Sequence, residues 1–377
     1  MKLMDSGAGM QNNRHPKPCS PRIAPMNVDA RLPPPPAVAV ILVNWNGWRD
    51  AIECIGSVLE QSHASLHIFL VDNDSHDDSV GHIGKWCATP AAGADWRDHD
   101  GVARITDRSI VPIPVRIADG PVHALPPTTG CRITLIRSGG NLGFAGGCNV
   151  GIRAAGLEAF EFFWLLNTDT VVHRDALAAL VRRAQASARV GMVGSTIRYY
   201  HSPNIIEALA GAHLETATIT TRQIGQGRRL DERPIDPAEV EREMSYVAGA
   251  SMLVSGTFVR EVGFMQEDYF LYCEELDWAM RGRDRFTWGY APDSHVFHKS
   301  GASSSKVMPA FTANLYYRNQ IRFAARFFPR QLPAVRRRMA VELLRHTVRG
   351  RWIPAKAVAA ALRDARKLAA QIIPPAA

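Results

Sequence analysis

The sequence predicts an α/β domain on a mostly parallel, doubly wound sheet, and three observations carry that expectation. Two continuous apolar, β-branched runs, at residues 38–43 and 66–71, flank a segment with helical spacing of its apolar groups. Strand, helix, strand in that order opens a parallel sheet whose strands are covered on both faces. The alternation resumes with apolar runs at 132–136, 162–166 and 190–199. Finally, three of these strands end in Asn or Asp, at the carboxyl edge where open α/β sheets bind ligands.

The elements follow in order. Residues 1–36 are polar and close on four consecutive prolines, a leader stiffened by polyproline at its end. The first strand, 38–43, has no polar alternation and should be buried on both faces. Ile52, Ile55, Val58 and Leu59 form one stripe of the helix behind it. The second strand, 66–71, runs into Asp72, Asn73, Asp74 and Ser75. Residues 87–130 are rich in Pro, Gly, Ala and Asp with weak periodicity, and are expected to be an insertion. A strand at 132–136, a Gly-rich segment at 139–151 and a short helix come next. The strand at 162–166 delivers Asn167, Thr168 and Asp169 at its end. A helix near 175–188 and a strand near 190–199 follow. The polar stretch 215–241 reads as a mobile loop, 245–304 as compact structure, and the chain beyond 311 as basic helices. The domain expectation is a leader at 1–36, an α/β domain at 37–305 with the insertion at 87–130, and a basic helical extension at 306–377.

Composition excludes several classes. Of 377 residues 46% are hydrophobic and 21% charged, which describes a globular core and not a disordered or fibrous chain. Six scattered cysteines without a CxxC pair give neither zinc-ligand spacing nor a disulfide framework, and point to a reduced, cytoplasmic setting. No signal peptide precedes the first strand, and no apolar run is long enough to span a bilayer. A membrane role would therefore be peripheral. The net charge of +8 is uneven: from residue 306 onward there are fifteen Lys or Arg against two acids, so the rest of the chain is net acidic. Such a tail suits a polyanionic surface, lipid headgroups or nucleic acid.

Four constellations could carry chemistry. Asn44 with Asn46, Asp72 with Asn73, and Asn167 with Asp169 sit at strand ends. Singly each fits a turn, but three ends converging on one edge form a site. One or two acids there suit Mg²⁺ or Mn²⁺ held mainly through a diphosphate, where the ion offsets charge on a departing group. The Gly-rich segment 139–151 follows a strand and opens a helix, a context in which backbone amides approach phosphates or a sugar. A dinucleotide fingerprint is the rival reading, disfavoured because the G-x-G-x-x-G spacing is not met cleanly. Around 270–281, Asp277 can pair with Arg281 four residues on, while Glu274 or Glu275 behind aromatics can take a proton from a hydroxyl. His295 and His298, after Pro292 and before a Gly/Ser loop, could contact a metal or phosphate.

These motifs in order, Val43-Asn44-Trp45-Asn46, Val71-Asp72-Asn73-Asp74-Ser75, Asn141-Leu142-Gly143-Phe144-Ala145-Gly146-Gly147, Asn167-Thr168-Asp169, Phe270-Leu271-Tyr272-Cys273-Glu274-Glu275-Leu276-Asp277 and His298-Lys299-Ser300-Gly301, resemble bacterial family 2 glycosyltransferases, nearest the rhamnosyltransferase-type branch. The resemblance covers residues 38–326. It implies a GT-A-like fold and an inverting, divalent-cation-dependent transfer of a sugar. The donor would be dTDP-rhamnose first and a UDP-sugar second, and the acceptor a lipid-linked cell-surface glycan. It further implies that Asp72 contacts the pyrimidine base with Asn44 close by, and that Asn73, Asn141, Gly143 and Asn167 complete the donor site. Asp169 would bind the metal with His298, and Glu275 would be the catalytic base. Two departures stand out: Asn167 replaces the first acid of the D-x-D signature, and Cys148 stands where an Asn is expected beside Asn149.

Two alternatives compete with it. One is a nicotinamide oxidoreductase. The other is a nucleic-acid-binding module whose tail places Tyr316, Tyr317, Phe323, Phe327 and Phe328 among Arg318, Arg322, Arg326 and Arg330 as a stacking surface. The tail also has the composition of helices lying on an anionic membrane, on the cytoplasmic face. For residues 311–330, packing on the catalytic domain competes equally with that reading; for 336–352 the interfacial reading is preferred.

Overall fold

Alternating side chains of the first strand point to two different cores, and the architecture follows from that. In the computed structural model, which describes residues 34–88, 112–120, 122–125, 131–232, 234–300 and 309–370, β1 (Val38–Asn44) sends Val38, Val40 and Leu42 into one apolar cluster and Ala39 and Ile41 into another. The first cluster is closed by α1 (Trp48–Leu59), α2 (Ser79–Ala88) and α4 (Ala176–Gln185). The second is closed by α3 (Gly143–Ala155), α6 (Gly256–Val262) and α7 (Glu274–Gly282). The expectation of strands buried on both faces is met.

The sheet has ten strands in the order β3-β4-β2-β1-β5-β12-β7-β13-β6, with β8 beside β7. Its parallel half comprises β1, β2 (Leu66–Asp72), β3 (Val115–Asp119), β4 (Ile133–Arg137) and β5 (Phe162–Asn167). In the other half, β12 (Ser251–Ser255) runs antiparallel between β5 and β7 (Val190–Tyr199). The long β13 (Thr287–His298) lies parallel to β7 and antiparallel to the short β6 (Thr170–Val172). β8 (Ser202–Leu209) pairs antiparallel with β7. A separate three-stranded sheet joins β9 (Gly211–Glu215), β10 (Thr220–Gln223) and β11 (Tyr246–Val247).

Two expectations need correction. The stretch 87–130 is not wholly an insertion: β3 belongs to the main sheet, parallel to β4 at its edge. Residues 89–111, 121 and 126–130 lie outside the described residues, as do the leader residues 1–33. The stretch 215–241 is not a plain loop. It contains β10 and starts α5 (Pro237–Glu243), whose N-cap Asp236 accepts a hydrogen bond from the Ala238 amide with Pro237 in the first turn. The Gly-rich segment opens a helix as expected, Gly143 to Gly151 forming the first turns of α3. A methyl on Gly147 would strike the Val43 side chain and one on Gly151 that of Ile41. These glycines let α3 lie close on β1.

The extension consists of α8 (Ala310–Phe327), α9 (Leu332–Val348), α10 (Trp352–Arg363) and α11 (Ala365–Ala370). The described residues from Pro35 on form one compact unit, extension included. Tyr317 and Phe323 are buried, Phe327 and Phe328 are partly so, and all pack in a cluster with Leu276 and Tyr269 of the α/β body. These aromatics are core, and the nucleic-acid stacking surface read from them is overturned. No helix among the described residues is long and apolar enough to cross a membrane.

Candidate functional site

Register places the three strand ends side by side. Asn44 is paired with Asp72 across β1 and β2, and Val43 with Asn167 across β1 and β5. Buried Asp72 accepts hydrogen bonds from Asn44 Nδ2 at 3.1 Å and from the Ser75 amide at 3.2 Å. The other end of the Asn44 amide, its Oδ1, is buried without a partner, so this strand end holds an unused acceptor. Asp72 also lines a cleft of about 590 Å³ with Asp74, Asp78, Lys85 and Arg137.

Asn73 turns the other way and ties the Gly-rich helix to the sheet. Its Nδ2 donates to Asn141 Oδ1 and to the Gly143 carbonyl at 3.1 and 3.0 Å, and its Oδ1 accepts from the Leu142 amide. Gly143 has φ +72 and a methyl there would overlap the Phe270 carbonyl. The neighbouring Phe144 amide donates to that same carbonyl at 2.8 Å. Glycine here is required by the backbone and by the close approach of the segment preceding α7. Asn149, whose role the sequence left open, is fully buried and clamps the same segment: it donates to the Met265 carbonyl and Glu267, and accepts from the Met265 amide.

Beyond β5, the antiparallel pairing of β6 with β13 sets His298 opposite Thr170 and so beside Asp169. His298 Nε2 lies 3.2 Å from Asp169 Oδ1, while its Nδ1 lies 3.0 Å from Glu207 Oε2. Ser300 Oγ also donates to Glu207. Burial alone would lower the His298 pKa, but the hydrogen bonds and charges of the two carboxylates outweigh it and raise it to about 10. The ring is therefore an imidazolium at neutral pH. Glu207 was missed in the sequence reading; its signal was a lone acid inside the apolar run Ile205-Ile206-Glu207-Ala208-Leu209. The expectation that His295 and His298 act together is not met. Strand residues three apart diverge to opposite faces, and His295 sits edge-on to His173 with its pKa lowered to about 4 by burial, Arg198 and His173. Lys299 is also committed elsewhere, to Asp50 at 2.6 Å and to Glu53.

Among the described residues no three His, Cys, Asp or Glu side chains gather into a metal cage. Two ligands are enough for an ion whose other positions are filled by phosphate and water. Neighbouring ligands of an octahedral Mg²⁺ or Mn²⁺ at about 2.1 Å stand about 3.0 Å apart, and Asp169 Oδ1 and His298 Nε2 are 3.2 Å apart. The pair fits such an ion once His298 has given up its proton.

Asn167, Glu207 and His298 line a cleft of about 320 Å³ together with Tyr272, Glu274 and Glu275. Thr221 and Gln223 of β10 form a further part of the wall, and Gln223 Oε1 is buried without a partner. The two acids begin α7, where the helix N-terminus favours negative charge. Burial raises the pKa of both. They differ in what they touch. Glu274 is 1% exposed, its Oε2 has no hydrogen-bond partner, and burial and the Glu275 charge hold it well above the carboxylate range. Glu275 is partly exposed, and backbone amides, that of Gly249 among them, favour its ionised form. In a close pair the proton goes to the less solvated member. Glu274 is therefore the member that holds its proton more tightly, and Glu275 the one that ionises first.

The segment that aims these acids has positive φ at Phe270, Tyr272 and Cys273. It is held by α8, where Asn319 Nδ2 lies within hydrogen-bonding distance of the carbonyls of Tyr269, Leu271 and Tyr272. One turn into α7, the fully buried Asp277 pairs with Arg281, as the spacing implied, and with Arg326 of α8, each at 2.8 Å.

Comparison with known proteins finds glycosyltransferases. The family model described as glycosyl transferase family 2 matches residues 120–233. The chain is 24% identical over 213 residues to the low-salt glycan biosynthesis hexosyltransferase Agl10 of Haloferax volcanii, covering 54% of this chain and 64% of that protein. It is 26% identical over 215 residues to an N-acetylglucosaminyl-diphospho-decaprenol L-rhamnosyltransferase of Mycobacterium tuberculosis, covering 52% of this chain and 69% of that one. Among solved structures, GalNAc-T7 with UDP, GalNAc and Mn²⁺ superposes with a TM-score of 0.50 at 14% identity, over 77% of this chain and 47% of that one. That last likeness is one of fold.

Proposed function

For a chain that is a family 2 glycosyltransferase of rhamnosyltransferase-like sequence on a GT-A-type fold, we propose an inverting, divalent-cation-dependent transfer from a pyrimidine nucleotide sugar to a glycan hydroxyl. The donor is dTDP-rhamnose in preference to a UDP-sugar, and the acceptor is a lipid-linked cell-surface glycan reached from the cytoplasmic face of a membrane. The relative from Mycobacterium tuberculosis, by its name a transferase of L-rhamnose to a diphospho-decaprenol sugar, supports both choices. The observation that carries the reading is the ionisable Glu275 on the wall of the cleft that Asn167 and His298 also line.

The chemistry follows from that placement. Glu275 accepts the proton of the acceptor hydroxyl as its oxygen attacks the anomeric carbon. The bond to the nucleotide diphosphate breaks on the opposite face, so one base suffices and the configuration inverts. Asp72 and Asn44, with its unused Oδ1, hold the base end of the donor. Asn73, Asn141 and Gly143 keep the α3 terminus in place beneath it, and Asn167 borders the sugar. Asp169 and His298 hold the cation, which when bound offsets the charge of the leaving diphosphate.

Glu275→Gln should keep donor affinity while lowering transfer by about 10²- to 10⁴-fold. A variant with half the wild-type turnover would remove Glu275 from the mechanism. Asp169→Ala should weaken donor binding in Mg²⁺ or Mn²⁺ but leave the weak binding seen in chelator unchanged, read by thermal shift against a panel of nucleotide sugars. Full transfer in excess chelator would refute the cation dependence.

A further inference from the structure

The outer face of the extension is chemically unlike the rest of the molecule. On α9, Val335 and Met339 are buried against the body, whereas Arg336, Arg337, Ala340, Val341, Leu344, Arg345 and Val348 recur at three- and four-residue spacing on the opposite side, all exposed. At the corner into α10 the same surface continues through Arg349, Arg351, Trp352, Ile353 and Lys356. Leu344, Val348 and Trp352 are 64%, 78% and 59% exposed. Five of the nine large apolar side chains exposed among the described residues fall within residues 341–353. Residues 330–367 hold eleven Lys or Arg and two acids. Glu342 is bound to Arg338 at 2.6 Å, and Asp364 adjoins Arg363. Exposed apolar groups interleaved with unopposed cations, on a helix whose other side is buried, are what an anionic lipid surface fits.

We propose that the α9–α10 corner is a membrane-docking surface that takes an anionic bilayer, with Leu344, Val348, Trp352 and Ile353 entering the acyl boundary and Arg345, Arg349, Arg351 and Lys356 meeting headgroup phosphates. The first helix of the extension has no part in it. α8 is spent on the body through Arg326, Asn319 and its buried aromatics. RNA would use the same cations but leaves the exposed aliphatic side chains without a purpose, since nucleotide bases stack on aromatic or guanidinium planes. This surface is separate from the cleft, so it stands or falls independently of the transfer chemistry.

The test is co-sedimentation of the full chain with phosphatidylcholine vesicles made with and without phosphatidylglycerol. The protein should pellet with the anionic vesicles only. Neutralising Arg345→Gln, Arg349→Gln and Arg351→Gln together should weaken that binding on the order of 100-fold, from the usual contribution of a cation at an anionic leaflet. Leu344→Gln with Trp352→Gln should also weaken it, and both variants should keep the wild-type thermal melt and donor turnover. Failure of the wild type to bind anionic vesicles, or an unchanged affinity in the aliphatic variant, would overturn the proposal. It would equally be overturned if the variants instead converted a dimer to a monomer in vesicle-free sedimentation, or abolished tight RNA binding while sparing lipid.

Discussion

Glu274 and Glu275 are adjacent, both buried enough to have raised pKa values, and yet fit opposite roles. The sign of the pH response separates them. A raised pKa means the carboxylate forms only at higher pH than usual, so transfer should climb with pH through a value above the ordinary carboxylate range. The Glu274 proton is the one held most tightly, and glutamine mimics that neutral acid. Glu274→Gln should therefore retain most of the wild-type maximum and leave the acidic limb of kcat/KM where it is, since burial and not a charge on Glu274 raises the Glu275 pKa. A limb that moves to lower pH would show that Glu274 carries a charge in the working enzyme. Gly249 offers a second check, because a methyl there would overlap Glu275 Oε1. Gly249→Ala should lower kcat by displacing the carboxylate while leaving donor binding intact. At this scale the strand-end residues Asn44, Asp72 and Asn167 and the His298–Asp169 neighbourhood were legible, because strand ends and motif order mark them. Glu207 was not: its partner lies ninety-one positions away and meets it only through the pairing of β8 and β13 with β7.

At the scale of elements, α8 acts as part of the catalytic body. Asn319 holds three carbonyls of the positive-φ segment before α7, and Arg326 neutralises Asp277 inside it. Breaking a buried pair by removing one partner typically costs about 3–5 kcal/mol, and since Asp277 keeps Arg281, Arg326→Met should cost about 3 kcal/mol in a denaturant melt. Asn319→Ala should cost about 1–3 kcal/mol and also reduce kcat more than donor affinity, because the freed segment carries Glu275. Loss of stability with unchanged kcat would make Asn319 structural only. The i, i+4 pair of Asp277 with Arg281 could be read from spacing. Its second cation could not, since composition marked α8 as basic without saying what its arginines face. The Gly-rich segment shows the same limit. Its glycines looked like a ligand cradle, but several serve the close packing of α3 on β1, a need that appears only when helix and strand are set together. In 215–241, the Asp236-Pro237 cap was present in the sequence, but the polar composition around it masked the helix.

On the scale of the whole molecule, a mostly parallel sheet buried on both faces was readable from the apolar runs, while the strand order and the antiparallel β12 were not, and the extension proved to be two different things. Its first helix completes the body, and its last helices pack on that helix through Val335, Met339, Val358 and Ala361 while presenting a cationic, apolar outer face. Removing everything after residue 329 would strip the cover from α8, so such a truncation should lower the melting temperature as well as vesicle binding; an unchanged melt would contradict the shared core. The central claim is that one carboxylate, Glu275, drives an inverting displacement at the cleft shared by Asn167 and His298. Its most direct measurement is the anomeric configuration of the product, followed by NMR as the enzyme consumes a pyrimidine nucleotide sugar in Mg²⁺. The account predicts a product of inverted configuration from the wild type and almost none from Glu275→Gln. A product of retained configuration, or inversion that proceeds undiminished in Glu275→Gln, would contradict it.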